Sequence, residues 1–140
     1  MNRDLMLVYK AVKEKLGTEY KNVFFQTMRE DQPGDVGIYL YESANDIEDL
    51  QGKEVFNCIK VHVQVNSEQS TEGMAKALRY LNKFTERIEN ENSDVDGIEF
   101  ISAQHLGPRA IPIGKNNFNI LVCKSTVDLK YTFETNLITF

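Results

Sequence analysis

Two stretches of the sequence repeat their apolar residues at the period of an α-helix. The first predicts a helix over residues 3–16, which ends before Gly17 and has an apolar stripe of Leu5, Val8, Tyr9, Val12 and Leu16. The second predicts a helix from about residue 68 to residue 91, capped by Ser67 or Ser70, with a stripe of Met74, Ala77, Leu78, Leu81, Phe84 and Ile88. Each helix therefore has one face suited to packing on a core.

The clearest strand pattern lies in residues 55–66, where apolar and polar residues alternate. One side of this strand carries Val55, Ile59, Val61, Val63 and Val65, and the other carries Lys60, His62, Gln64 and Asn66. Shorter apolar runs predict strands over residues 22–28, 36–41 and 98–105, and a long last strand over residues 118–133, with Phe118, Ile120 and Val122 on its apolar face. We expect a sheet with one buried face.

Three polar or proline-containing segments connect the predicted strands and limit how they can pair. The turn at residues 31–35 contains Pro33 and Gly34, which favours a hairpin between the first two strands. Residues 42–54 are polar and acidic and predict an excursion between strands that carries one helical turn. Residues 107–114 contain two prolines, which cannot lie in the middle of a sheet.

The predicted order of elements is α-β-β-β-α-β-β in a single domain of residues 1–140, a length that can bury one conventional core. We therefore predict an α+β fold, a mostly antiparallel (mixed) β-sheet with two helices packed on one face. The last segment, residues 134–140, retains Leu137, Ile138 and Phe140. Three large apolar side chains at a terminus indicate a tail that docks on its own domain or on another subunit.

Composition narrows the class of protein. The chain has 21 acidic and 16 basic residues, a net charge of -5, whereas broad nucleic-acid binding needs a positive surface. Two cysteines are too few for a disulfide framework or a four-cysteine metal site. The sequence has no apolar run of about 18 residues, the length that a membrane-spanning helix needs. Asp4 lies where a secretory signal needs basic and apolar residues. These features predict a soluble, intracellular domain without a membrane span.

Candidate catalytic and metal-binding patterns are weak. The only histidines, His62 and His105, lie in strands among residues that are poor metal ligands. The run at residues 92–97 imitates the start of a calcium loop, but the twelfth position, which needs a carboxylate, is Ala103. Cys58 and Cys123 have no histidine and acid at a catalytic spacing, and no phosphate-binding loop is present. We predict no catalytic residue, no cofactor and no metal site.

The layout of the chain resembles a family of viral structural proteins. It has a capped amphipathic helix (SEQSTEGMAKALRYLNKFTERI), a Gly-Pro-x-x-x-Pro-x-Gly connection and a long closing strand (NNFNILVCKSTVDLKYTF). Over about residues 3–133 this is similar to the small minor capsid or tail terminator proteins of long-tailed bacteriophages, which are also carried in prophages.

The resemblance implies a structural protein and no enzyme. Such proteins assemble as a ring, usually a hexamer, at the end of the tail tube, stop its growth and present a surface to the head–tail connector protein. The partners implied are further copies of the chain, the tail tube protein and the connector, with DNA passing through the lumen without specific binding. The location implied is the virion at the head–tail junction, after assembly in the cytoplasm of the bacterial host.

We place the expected contacts between subunits and partners on three parts of the sequence. These are the polar face of the central strand, the proline-containing connection and the C-terminal tail, which contain His62, Gln64, Pro108, Arg109, Pro112, Leu137, Ile138 and Phe140. The acidic concentrations at residues 42–54 and 86–99 would repel a DNA backbone if a ring repeated them. The alternative is a small cytosolic α+β enzyme or ligand-binding module whose site consists of unconnected polar residues.

Overall fold

The computed structural model describes residues 2–17, 19–42, 47–48, 55–68, 70–90, 98–106 and 110–133. The two helices are α1 (Asn2–Leu16) and α2 (Thr71–Asn90). The strands are β1 (Val23–Phe25), β2 (Val36–Glu42), β3 (Ile47–Glu48), β4 (Val55–Asn66), β5 (Ile98–His105), β6 (Ile111–Lys115) and β7 (Leu121–Phe133). The predicted α+β class and order of elements are confirmed, and two short strands, β3 and β6, are added to them.

The strands form a mixed sheet in which β4 and β7 are central. The strand order is β1-β2-β4-β7-β5, with β3 paired to the start of β4 and β6 paired to the start of β7. All of these pairs are antiparallel except β1 with β2. The longest ladder joins β4 to β7, from Asn57 opposite Tyr131 to Asn66 opposite Val122. β4 therefore positions β2, and β7 positions β5.

The predicted hairpin between the first two strands is wrong, because β1 runs parallel to β2. Val23 lies opposite Val36, and Phe25 lies opposite Ile38. Parallel neighbours need a connection long enough to return to the starting end, and residues 26–35 provide it. The chain leaves β1 at Gln26, whose φ of 60° ends the extended conformation.

A buried polar cluster fixes the returning connection. The carboxylate of Asp35 is fully buried and accepts hydrogen bonds from Nε and Nη2 of Arg29 at 2.8 and 2.9 Å. The side-chain amide of Asn66, at the end of β4, donates to the carbonyls of Arg29 and Gln32. Buried polar groups stabilise a fold only when they are paired, and here the pairing ties the connection to the sheet.

The two added strands lie at the edges of the sheet. β3 forms two pairs with β4, Ile47 with Phe56 and Glu48 with Val55, so these two residues of the acidic segment form a strand. The rest of the acidic excursion, residues 43–46 and 49–54, lies outside the described residues. β6 pairs with β7 and has an irregularity between Pro112 and Gly114, which agrees with the exclusion of this proline-containing segment from the middle of the sheet.

The core lies between one face of the sheet and both helices. The alternation predicted for the central strand is confirmed, because Ile59, Val61, Val63 and Val65 are all buried. The helices contribute buried residues from the predicted stripes, and these are Val8, Val12, Leu16, Ala77, Leu81 and Phe84. Burial of this apolar surface is the main force that holds the two layers together.

Neither of the described helices is both long and apolar enough to cross a membrane.

The end of α1 is closed by a side chain from α2. Nη1 of Arg87 donates hydrogen bonds to the carbonyls of Lys15 and Leu16 at 3.2 and 2.9 Å. The last carbonyls of a helix have no partner within the helix, so a cation here satisfies them and also interacts favourably with the helix dipole. Gly17 follows with a φ of 89°, and its missing side chain leaves room for the guanidinium.

We expect the change Arg87→Ala to lower the free energy of unfolding by about 1.5–3 kcal/mol, the usual value of hydrogen bonds to a charged group. The matched control is Lys83→Ala, which removes an exposed ion pair to Glu19 at 3.0 Å and should cost less than about 1 kcal/mol. Urea unfolding at neutral pH measures both values. Equal losses in the two variants would show that Arg87 does not hold the helices together.

Candidate functional site

The structure places three of the eight residues expected at an interface. His62 and Gln64 lie in β4 and Pro112 lies in β6. Pro112 is exposed, and both β4 residues are half-buried. The other five residues lie outside the described part of the chain, and they are Pro108, Arg109, Leu137, Ile138 and Phe140.

His62 and Gln64 belong to the sheet surface that faces away from the helices, which we call the open face. Strand register defines its members, because residues opposite one another share a face. Its described side chains include Phe24, Tyr39, Tyr41, Cys58, Lys60, His62, Gln64, Gln104, Ile111, Lys124, Thr126, Asp128 and Lys130. Neither described helix packs on this surface, because the residues buried beneath the helices are those on the other side of the strands.

One hydrogen bond between neighbouring strands and one within β4 order the centre of the open face. Nδ1 of His62 lies 2.9 Å from Oγ1 of Thr126, and Nε2 of His62 lies 2.9 Å from the side-chain nitrogen of Gln64. Because the amide nitrogen of Gln64 can only donate, Nε2 of His62 accepts and the imidazole proton lies on Nδ1. The ring of Tyr39 packs edge-on against the imidazole, with the ring centroids 6.0 Å apart. This geometry holds the imidazole in one neutral form.

The electrostatics of the open face favour that neutral form. Burial lowers the pKa of His62 below its ordinary value of 6.5, and the neighbouring charge of Lys124 lowers it further. Charged residues on the open face include Lys60, Lys124 and Lys130, and Asp128, which lies opposite Lys60. Two lysines, Lys60 and Lys124, therefore lie near the imidazole of His62.

One edge of the sheet is closed by a side chain that takes the place of a strand. Oε1 of Gln26 accepts a hydrogen bond from the backbone N–H of Leu40 at 3.0 Å, and Nε2 of Gln26 donates to the carbonyl of Leu40 at 2.9 Å. The backbone N–H of Gln26 also donates to Ile38. An open edge invites pairing with another chain, and Gln26 blocks that pairing at this point of β2.

Phe118 is an exposed aromatic residue that the pattern placed on the apolar face of the last strand. It lies instead in the turn before β7, with 56% of its surface exposed. Oδ1 of Asn116 accepts the backbone N–H groups of Phe118 and Ile120, and the Asn116 amide donates to the carbonyl of Glu30. The two asparagines before Phe118 were the available sequence signal for a turn at this position.

A shallow cavity of about 380 Å³ lies at the beginning of α2. Its lining residues are Ser70, Thr71, Met74, Lys115 and Leu121. Oγ of Ser70 accepts the backbone N–H of Gly73 at 2.9 Å, so Ser70 is the helix cap and this acceptor is already engaged. In the part of the chain that the structure describes, no three histidine, cysteine, aspartate or glutamate side chains are grouped so that they could hold a metal ion.

The described fold is a two-layer α+β domain with one ordered sheet face left open. No protein-family model matches this chain, and none of the curated proteins matches it.

The stability of the fold should depend on pH through His62. The folded pKa is depressed, so the unfolded chain takes up a proton first as the pH falls below about 6.5, and stability is lost down to the folded pKa. We expect His62→Gln to lose less stability than the wild type between pH 7.5 and pH 5, because the titrating group is gone. Urea unfolding at a series of pH values measures this, and identical pH profiles would contradict it.

Proposed function

We propose that this chain is a structural subunit of the head–tail junction of a long-tailed bacteriophage or prophage. In this proposal, copies of the chain form a ring at the end of the tail tube, stop its growth and join the tail to the head connector. The open face and the proline-containing edge supply contacts between subunits, and the C-terminal tail supplies a further one.

The observation that supports this proposal best is the open face itself. It is a broad sheet surface whose central side chains are already held by one cross-strand hydrogen bond, one hydrogen bond within β4 and ring packing. Such a surface binds a partner without first ordering its side chains, which reduces the entropic cost of association. A function based on contact between proteins agrees with this arrangement.

Ring formation requires each subunit to use two different surfaces. When one surface of a subunit binds a different surface of the next, the contact repeats and closes into a ring if the rotation allows it. The open face is one such surface, and the sheet edge at β6 with exposed Pro112 is another. The net charge of -5 per chain suits a lumen that DNA crosses without binding.

The cavity at the beginning of α2 favours the alternative function, a ligand-binding module or small enzyme. It is lined by hydroxyl groups and one lysine, and the hydroxyl of Ser70 already caps the helix. A small molecule bound there would protect Lys115 from amine-reactive reagents. Saturable protection of Lys115 by a metabolite, in a chain that forms no ring, would favour this alternative.

The proposal is tested by the mass and shape of the assembled protein. Light scattering and negative-stain microscopy should be applied to the purified chain alone and mixed with phage tail tubes. We expect rings, close to six times the 16.1 kDa of one chain, in solution or on tube ends, and tubes that stop growing. A chain that stays monomeric in both conditions and leaves tube length unchanged would contradict the proposal.

We expect the tail variants Leu137→Asp and Ile138→Asp to weaken assembly at least about tenfold, because a charge at an apolar contact costs more than about 1.4 kcal/mol. The control is Lys13→Asp on the exposed side of α1, which should assemble like the wild type. Size-exclusion chromatography with light scattering measures the assembled fraction. Unchanged assembly of both tail variants would remove the tail from the interface.

A further inference from the structure

We infer that His62 and Gln64 form a pH-dependent switch on the open face, in which protonation of the imidazole rotates the Gln64 amide by half a turn and weakens the contact between subunits. This inference rests on the proposed ring, because it assigns a means of regulation to the surface on which that ring depends. It is carried by the two hydrogen bonds that engage both nitrogens of one half-buried imidazole.

The imidazole of His62 is held at both of its nitrogens. Nδ1 lies 2.9 Å from Oγ1 of Thr126 in β7, and Nε2 lies 2.9 Å from the side-chain nitrogen of Gln64 in β4. The amide nitrogen of Gln64 donates and Nε2 accepts, so the neutral ring carries its proton on Nδ1 and donates it to Thr126. An imidazolium also donates from Nδ1, so the contact with Thr126 is the same in both charge states.

Protonation changes the contact with Gln64. Both nitrogens of an imidazolium carry a hydrogen, so two donors would face each other across the 2.9 Å between Nε2 and the Gln64 amide nitrogen. A half-turn about the last side-chain torsion of Gln64, a torsion with two-fold character, places the amide oxygen at Nε2 and restores a hydrogen bond. The amide nitrogen then points away from the ring, where the oxygen pointed before. Protonation therefore replaces an acceptor by donors on the open face and adds a positive charge.

The surroundings keep the imidazole in place while the amide rotates. The ring of Tyr39 packs edge-on against it, with the centroids 6.0 Å apart. The same ring lies over Gly37, where a Cβ atom would be 2.7 Å from Cε2 of Tyr39, so the missing side chain lets Tyr39 lie close to the sheet. A half-turn of a planar amide exchanges two groups of similar size and needs no additional space. The moving part of the switch is thus the Gln64 amide.

The imidazole is the group in this neighbourhood whose charge changes near neutral pH. The described titratable side chains at neighbouring positions of the open face are Tyr39, Tyr41, Lys60, Lys124 and Asp128. Histidine, with an ordinary pKa of about 6.5, is the side chain type that titrates between about pH 5 and pH 8. Burial lowers the pKa of His62, and the charge of Lys124 lowers it further, so the neutral form predominates at neutral pH.

Covering the open face with a subunit should favour the neutral form still more. The subunit removes water from the imidazole, which disfavours the charged form and lowers the pKa of His62 in the ring below its value in the free chain. Assembly then releases protons at any pH between these two pKa values. Assembly should therefore weaken as the pH falls, by up to about tenfold per pH unit at each contact, the limit for one proton.

Nitrogen NMR of the free chain tests the switch. We expect the tautomer with the proton on Nδ1 of His62 at pH 7.5, and side-chain amide signals of Gln64 that change with the same midpoint as His62 as the pH falls to 5. The chain has two histidines, so His62→Gln assigns the ring signals, and it should also abolish this change at Gln64. Amide signals of Gln64 that do not follow the His62 midpoint would overturn the inference.

Gln64→Glu gives a second test, because a carboxylate accepts hydrogen bonds and favours the imidazolium. This change should raise the proton affinity of His62 at least about tenfold, the usual effect of a neighbouring opposite charge. The matched control is Gln104→Glu, the same change at an exposed position of the open face in β5, which should alter that affinity less than about twofold. Equal effects of the two changes would show that Gln64 does not control the ring and would overturn the inference.

Light scattering between pH 7.5 and pH 5, alone and with tail tubes, tests the regulation. The wild type should lose assembly at least about tenfold over this range, and His62→Gln less than about threefold. Urea unfolding of each protein identifies losses that come from folding. Rings of the wild type that are equally strong at both pH values, or stronger at pH 5, would overturn the inference and leave the ring in place. Failure of the wild type to form rings at any pH would overturn the proposed function, and the NMR titration would still decide whether Gln64 follows His62.

Discussion

The pairing of β4 with β2 and β7 is the constraint on which the rest of the structure depends. It fixes the register that places Val61 and Val63 beneath the helices and His62 on the opposite side. Because side chains alternate with a period of two, a slip of one residue would exchange these faces and bury lysine in place of valine. The same register thus produces both the core and the open face. The strand register therefore determines both the packing of the core and the surface on which the proposed function depends.

Much of the fold follows from periodicity in the sequence. The spacing of Val8, Val12 and Leu16 gives the helix and its buried side, and the alternation through β4 gives the central strand and its two faces. Periodicity does not report strand direction, which is why the parallel pairing of β1 with β2 was missed. That direction depends on the turn at Gln26 and on the burial of Asp35, whose partners at Arg29 and Asn66 are set by the folded chain.

The candidate site was predictable in part. The polar side of β4 was visible in the alternation of Lys60, His62 and Gln64, and it indicated a surface outside the core. The hydrogen bond from His62 to Thr126 joins residues 64 positions apart, so no local pattern contains it. The grouping of Lys60 with Lys124 was also hidden, because it arises only when β4 pairs with β7.

In the proposed ring, the open face is covered by another subunit when the protein assembles. The most direct measurement is the rate at which lysines react with an amine-selective reagent, followed residue by residue by mass spectrometry in dilute and assembled protein. We predict that Lys60, exposed on the open face, is protected on assembly, while Lys10 and Lys13 on α1 react as before. Equal reactivity of Lys60 in the two states would contradict it.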